Sequence, residues 1–87
     1  MSYFVYVIQN EGDGSLYKGI TNNLERRVRQ HNIGKNLSTK NRGPYKLVYF
    51  EECLNRAEAR KREKYFKSGI GREKLKDLLT HSPVAQR

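Results

Sequence analysis

Five side chains stand where their type and spacing allow chemistry. Tyr6 lies in the middle of the most apolar segment, and Tyr17 lies in the next one. A hairpin that pairs Tyr6 with Tyr17 raises both phenols on one face of a sheet, although either alone is also ordinary strand packing. Arg27 and His31 sit one helical turn apart, beside the apolar stripe of Leu24 and Val28. An arginine so placed can clamp a phosphate with two N–H donors, and a neutral histidine can accept a proton or hydrogen bond. The plainer readings are a snorkelling surface arginine and a charge at a helix C-terminus. Glu63 shares a helical face with Ala59 and Phe66, the small and apolar residues that should meet the sheet. A carboxylate on that face needs a partner, either a basic residue or a metal ion.

The elements that must carry these residues can be read from the pattern. Residues 3–8 are continuously apolar and rich in aromatic and β-branched types, which predicts a strand buried on both faces. Residues 9–15 are turn formers, and 16–20 read as the returning strand of a hairpin. A helix should start at Thr21-Asn22-Asn23, with Asn22 as N-cap and Glu25 completing a capping box, and Gly34 should end it. Residues 35–44 form a polar, basic loop, and 45–51 a third strand. Asn55 caps a second helix over 56–67, Ser68-Gly69-Ile70-Gly71 ends it, and a third helix takes 72–79 with Leu75, Leu78 and Leu79 inward. These last two helices also admit a helix-turn-helix reading, with Arg72, Lys74 and Lys76 presented to bases. The order β-β-α-β-α-α gives an α+β fold class, a three-stranded antiparallel sheet flanked by helices. One domain over 1–80 and a flexible tail over 81–87 are expected.

Composition narrows the partners. The 87 residues carry 18 Lys and Arg against 9 Asp and Glu, a net charge of +9. Such an excess points to a polyanion, nucleic acid first and an anionic membrane surface second. The densest stretch is 21–48, where Arg26, Arg27, Arg29, Lys35, Lys40, Arg42 and Lys46 face a single acid, Glu25. Arg26, Arg29, Lys35, Lys40, Arg42 and Lys46 are therefore the candidate nucleic-acid contacts. No apolar run is long enough to span a bilayer, and the N-terminus lacks the pattern of a secretory signal, so a cytoplasmic protein is expected. One cysteine and two distant histidines exclude a disulfide framework and a structural zinc site.

Taken jointly, these residues resemble the GIY-YIG nuclease family, in its short, single-domain bacterial branch. The chain is also similar to the N-terminal nuclease domain of excision-repair nucleases. The first signature tripeptide matches Phe4-Val5-Tyr6 and the second Tyr17-Lys18-Gly19, with ten residues between the tyrosines. The stretch from Thr21 to His31 looks like the family's helix with its catalytic arginine, here Arg27, and the histidine one turn later, here His31. The family's metal-holding glutamate matches Glu63, and Arg42 to Glu51 resembles the third strand of the short branch. Phe4 and Val5 replace Gly and Ile but keep an apolar strand. Lys18 replaces an Ile and faces away from Tyr17, toward solvent or DNA.

The resemblance implies a metal-dependent DNA endonuclease with catalytic residues Tyr6, Tyr17, Arg27, His31 and Glu63. Tyr17 would be the general base for water, assisted by Tyr6 and His31. Arg27 would clamp the scissile phosphate, and Glu63 would hold one Mg2+ or Mn2+. DNA repair, recombination or processing is the implied setting. No chain remains for a sequence-reading domain, so specificity would come from DNA shape, a homodimer or a partner protein. The alternative is a non-catalytic nucleic-acid-binding module on the same fold.

Overall fold

The computed structural model describes residues 2–33 and 44–81. Its elements are β1 (Tyr3–Asn10), β2 (Leu16–Thr21), α1 (Leu24–Asn32), β3 (Tyr45–Cys53), α2 (Arg56–Lys67) and α3 (Gly69–His81). The sheet order is β2-β1-β3, with both pairings antiparallel. This is the α+β order expected from the sequence. The strand with the continuous apolar run is the central one, as burial on both faces requires. Successive β1 side chains divide between the faces. Val5 and Val7 join Val48, Phe66 and Leu75 under α2 and α3. Tyr6 and Ile8 join Tyr45 on the other face, against Leu24 and Val28 of α1.

Three local expectations are corrected. Tyr6 pairs with Gly19, and Tyr17 with Ile8, so the two tyrosines are not directly opposite. The reason lies in the turn. The Asn10 side chain accepts from the backbone N–H groups of Gly12 and Asp13, and Gly14 takes φ +77°, so pairing begins at Gln9–Leu16. The shift is by an even number of residues and leaves both tyrosines on one face. Next, the N-cap of α1 is Asn23 rather than Asn22. Its Oδ1 accepts from the Arg26 N–H at 3.0 Å, and Thr21 Oγ1 holds the Asn23 N–H at 3.1 Å.

The third correction concerns α3, which begins at Gly69 rather than 72, with Ser68 alone separating it from α2. Ser68 Oγ accepts from the Gly71 N–H, and Gly71 passes so close to α2 that a β-carbon there would lie 1.7 Å from the Tyr65 carbonyl oxygen. Gly71 permits a tight helix–helix corner instead of breaking the chain into a long turn. Leu75 is buried in the sheet core with Leu78 and Leu79 packed beside it, as expected, and Arg72, Lys74 and Lys76 are exposed. The expected loop over 35–44 falls almost entirely outside the described residues, as do positions 82–87 of the expected tail.

Candidate active site

The hairpin and α1 bring four of the five candidate residues together. Tyr6 is fully buried, and its hydroxyl is the hub. It lies 2.8 Å from His31 Nε2 and accepts from Arg27 Nε at 3.2 Å. Arginine can only donate, so the phenol oxygen accepts the Arg27 bond. Burial first, and the Arg27 charge second, hold His31 at a pKa of about 4, so the ring is neutral near pH 7. Burial pushes the Tyr6 phenol up to about 12, despite the Arg27 bond and charge that pull it down. Tyr6 therefore stays protonated and is poorly suited to take a proton itself.

Tyr17 is half-buried, and its ring packs edge-on against His31 at 4.7 Å between centroids. Gly19 makes the arrangement possible. A β-carbon at Gly19 would stand 2.6 Å from the Tyr6 hydroxyl, so the phenol lies where a side chain would otherwise be. The C-terminal end of α1 is pinned to β3 by Asn32, whose amide accepts from the Tyr45 N–H at 2.6 Å and donates to its carbonyl at 3.0 Å. Arg27 also donates to Gln30 Oε1 at 3.1 Å, which fixes its guanidinium over the hub.

Glu63 arrives from the other half of the chain. Its carboxylate is mostly shielded, at 16% side-chain exposure, and is held by Lys67 Nζ at 3.2 Å and Arg60 Nε at 3.8 Å. Its negative charge reaches the Tyr6 hydroxyl and adds to the upward pull on that phenol. The rotation of α2 that places it is set by the preceding residue. Arg62 donates to both oxygens of Glu51, at 2.9 and 3.1 Å, and Tyr49 donates to the same carboxylate. Burial would raise Glu51, but the bonds from Arg62 and Tyr49 outweigh it and hold the carboxyl below its usual range. The guanidinium also stacks over the rings of Tyr65 and Phe66, 4.9 and 4.8 Å from their centroids. Sequence reasoning missed this clasp. Its trace is the alternation Tyr49, Glu51 on one side of a strand, with an unassigned arginine on the facing helix.

The candidate nucleic-acid contacts are more scattered. Arg26 is exposed, bonds Asn22, and shares an open cleft with Arg27 and with Arg56, which sequence reasoning did not single out. Arg29 lies on a separate groove beside Val28 and Leu47, and Lys46 is exposed on β3. Lys35, Lys40 and Arg42 lie outside the described residues.

With this geometry established, comparison with known proteins agrees on one family. The GIY-YIG catalytic domain matches residues 2–76, and the chain belongs to that nuclease family. Within it, the chain is similar to the small bacterial UPF0213 proteins. One from Clostridium perfringens is 47% identical over 80 residues, covering 91% of this chain and 85% of that protein. Another, from Oceanobacillus iheyensis, is 40% identical over 75 residues, covering 85% and 86%. The solution NMR structure of a UPF0213 protein from Bacillus halodurans has the same fold, with a TM-score of 0.58 and 32% identity over 98% of this chain and 93% of that one. The family acts on nucleic acid and generally depends on a divalent metal. Among the described residues, no helix is long and apolar enough to cross a membrane.

Proposed function

We propose that the protein is a metal-dependent DNA endonuclease that hydrolyses a phosphodiester bond with Tyr17 as general base. The observation that carries this reading is the Tyr6 hub, bonded to both His31 and Arg27 with the Tyr17 ring packed on the same histidine.

The division of labour follows from protonation. Tyr6 keeps its proton and orients His31. Tyr17, the more exposed phenol, would accept the proton of the attacking water as its phenolate, its own proton having first passed to bulk water. Arg27 uses one N–H on Tyr6 and another on Gln30, leaving further donors for the phosphoryl oxygens, where negative charge grows.

Glu63 is the residue that would hold Mg2+ or Mn2+. Among the described residues no three His, Cys, Asp or Glu side chains gather as a ligand set. A single carboxylate nevertheless suits Mg2+, which keeps several waters and takes its remaining ligands from substrate phosphates. Glu63 is shielded and paired with Lys67 and Arg60, either of which a divalent cation would have to displace. When bound, the ion supplies Lewis-acid stabilisation of the leaving oxygen.

The test is incubation of the pure protein with branched, nicked, flapped and linear DNAs, with Mg2+ or with EDTA. Metal-dependent nicking of at least one substrate, lost in Glu63→Gln, is the expected result. Binding without cutting on every substrate would instead establish the non-catalytic module.

A further inference from the structure

Arg56, the first residue of α2, lines the same open cleft as Arg27, the guanidinium bonded to the Tyr6 hub. The cleft has a volume of about 290 Å3 and lies between α1 and the start of α2, at the end of β2. Arg26 and Gln30 line it from α1, and Thr21 and Asn22 from the strand end. No acid lines it, so three arginines surround one volume with no carboxylate among them. Their side-chain bonds go to neutral groups only. Arg27 donates to Tyr6 and Gln30, and Arg26 donates to Asn22 Oδ1 at 3.0 Å. Both amides accept through oxygen, which leaves their N–H groups as further donors. Among the described residues, Arg56 makes no side-chain hydrogen bond or ion pair. A cation in the first turn of a helix opposes the macrodipole, so α2 gains nothing from Arg56. Like charges around one opening repel unless an anion joins them.

The helix ties this cleft to the carboxylate assigned to the metal. Arg56, Arg60 and Glu63 recur at i, i+4 and i+7 and share one face of α2. Arg60 Nε stands 3.8 Å from the Glu63 carboxylate. At a rise of 1.5 Å per residue, Arg56 lies about 10 Å along the axis from Glu63, or about three nucleotides at roughly 3.4 Å each. A strand whose scissile phosphate lies on Arg27 therefore brings a neighbouring phosphate to the cleft.

We propose that this cleft is a second phosphate subsite, in which Arg26 and Arg56 hold a backbone phosphate next to the scissile one. The inference rests on the nuclease reading for its ligand class, since forked guanidiniums and amide N–H groups together recognise a phosphodiester.

The experiment reads binding of a flapped DNA in EDTA, so that affinity is measured without cleavage. Over a KCl series, Arg56→Met should flatten the log–log salt dependence by about one, and its combination with Arg26→Met by about two. Lys61→Met makes the same change in net charge at an exposed position of α2 and should move the slope less. Melting temperature should hold in Arg56→Met, because the side chain is exposed. A walk of single methylphosphonates, each removing one backbone charge, then locates the contact. At a phosphate within about three nucleotides of the cut, the wild type should weaken while Arg56→Met does not. Equal flattening in Lys61→Met, or a walk that weakens the wild type and Arg56→Met alike at every position, would reduce the effect to overall charge and overturn the subsite. A parallel NMR titration with inorganic phosphate separates the sources. Saturation at Arg56 with no such position in the walk would mean a free-phosphate site and overturn the backbone contact. Cleavage by the wild type with an unchanged slope in Arg56→Met would leave the nuclease standing and remove this inference. A phosphate contact that depends on Arg56 in a protein that never cuts would do the reverse.

Discussion

The two faces of the sheet are built from the same central strand and do opposite work. On the α2–α3 face, β1 contributes Val5 and Val7 to a dry cluster with Val48, Phe66 and Leu75. On the α1 face it contributes Tyr6, whose hydroxyl is bonded to a histidine and an arginine. Both faces are fully buried at β1. The difference is that one burial is satisfied by apolar contact and the other by directed hydrogen bonds. No buried side-chain nitrogen or oxygen among the described residues lacks a partner. Such a network holds its geometry because each broken bond leaves a polar group stranded. The site is therefore as rigid as the core, and substitutions on the two faces should separate activity from stability.

The largest effect is expected at Glu63, which the α2 rotation presents from outside both clusters. Glu63→Gln should lower cleavage by about 10³-fold or more, the worth of several kcal/mol of metal assistance. DNA binding should persist or tighten. Full activity of that variant at saturating Mg2+ would end the one-metal reading. Tyr17→Phe comes next, with cleavage reduced by ~10²–10⁴ and the fold altered by less than ~1–1.5 kcal/mol. Tyr6→Phe should impair cleavage less, because on the proposed reading Tyr6 orients the site and Tyr17 takes the proton. Normal cutting by both variants would make the tyrosine pair structural. Across the sheet, Phe66→Ala should cost ~3–5 kcal/mol in denaturant unfolding. Its cleavage per folded molecule should stay near wild type well below the melting point. A specific loss of catalysis there would show that the faces are not separable.

A finer probe is Gly19→Ala. The new methyl displaces the Tyr6 phenol from His31 and Arg27, so cleavage should fall while overpacking costs only ~1–3 kcal/mol. The last probe is a pH dependence of stability. His31 titrates at about 4 in the folded chain against 6.5 for the free side chain. The unfolded chain thus takes up the proton first, and its share of stability is complete above 6.5 and lost as the pH falls toward 4. Melting curves of His31→Gln should be flatter across that window than those of the wild type. Parallel curves would mean that the histidine is not held neutral.

Most of this division was legible in the sequence because it follows from periodicity. The apolar run of residues 3–8 marked the central strand, and the spacing of Leu24, Arg27, Val28 and His31 marked which edge of α1 meets the sheet. Glu63 was visible as a charge on an inner face. What could not be read depended on side chains meeting across long separations. The hairpin register turned on bonds from Asn10 that fix the length of the turn. The start of α3 turned on the Tyr65 carbonyl, which only a glycine can approach so closely. The Arg62–Glu51–Tyr49 clasp joins residues whose individual types suggest nothing beyond surface charge.

The placement of β3 beside β1 has a consequence for how the site comes into being. Tyr6, Tyr17, Arg27 and His31 belong to one ββα segment, whose contacts close short chain loops. Glu63 belongs to the part of the chain after β3, and β3 pairs with β1 across a separation such as Tyr3 to Cys53. Loop closure of that length is entropically slow, so the phenol–imidazole–guanidinium hub forms early and the carboxylate docks late. Pulse-labelled hydrogen exchange should then protect the amides of β2 and α1 before those of α2, and the reverse order would contradict it. The same asymmetry acts in the native state. On the proposed reading, an opening that releases α2 would withdraw the Glu63 carboxylate together with the buried Phe66, while Tyr17 and Arg27 keep their places on the ββα segment.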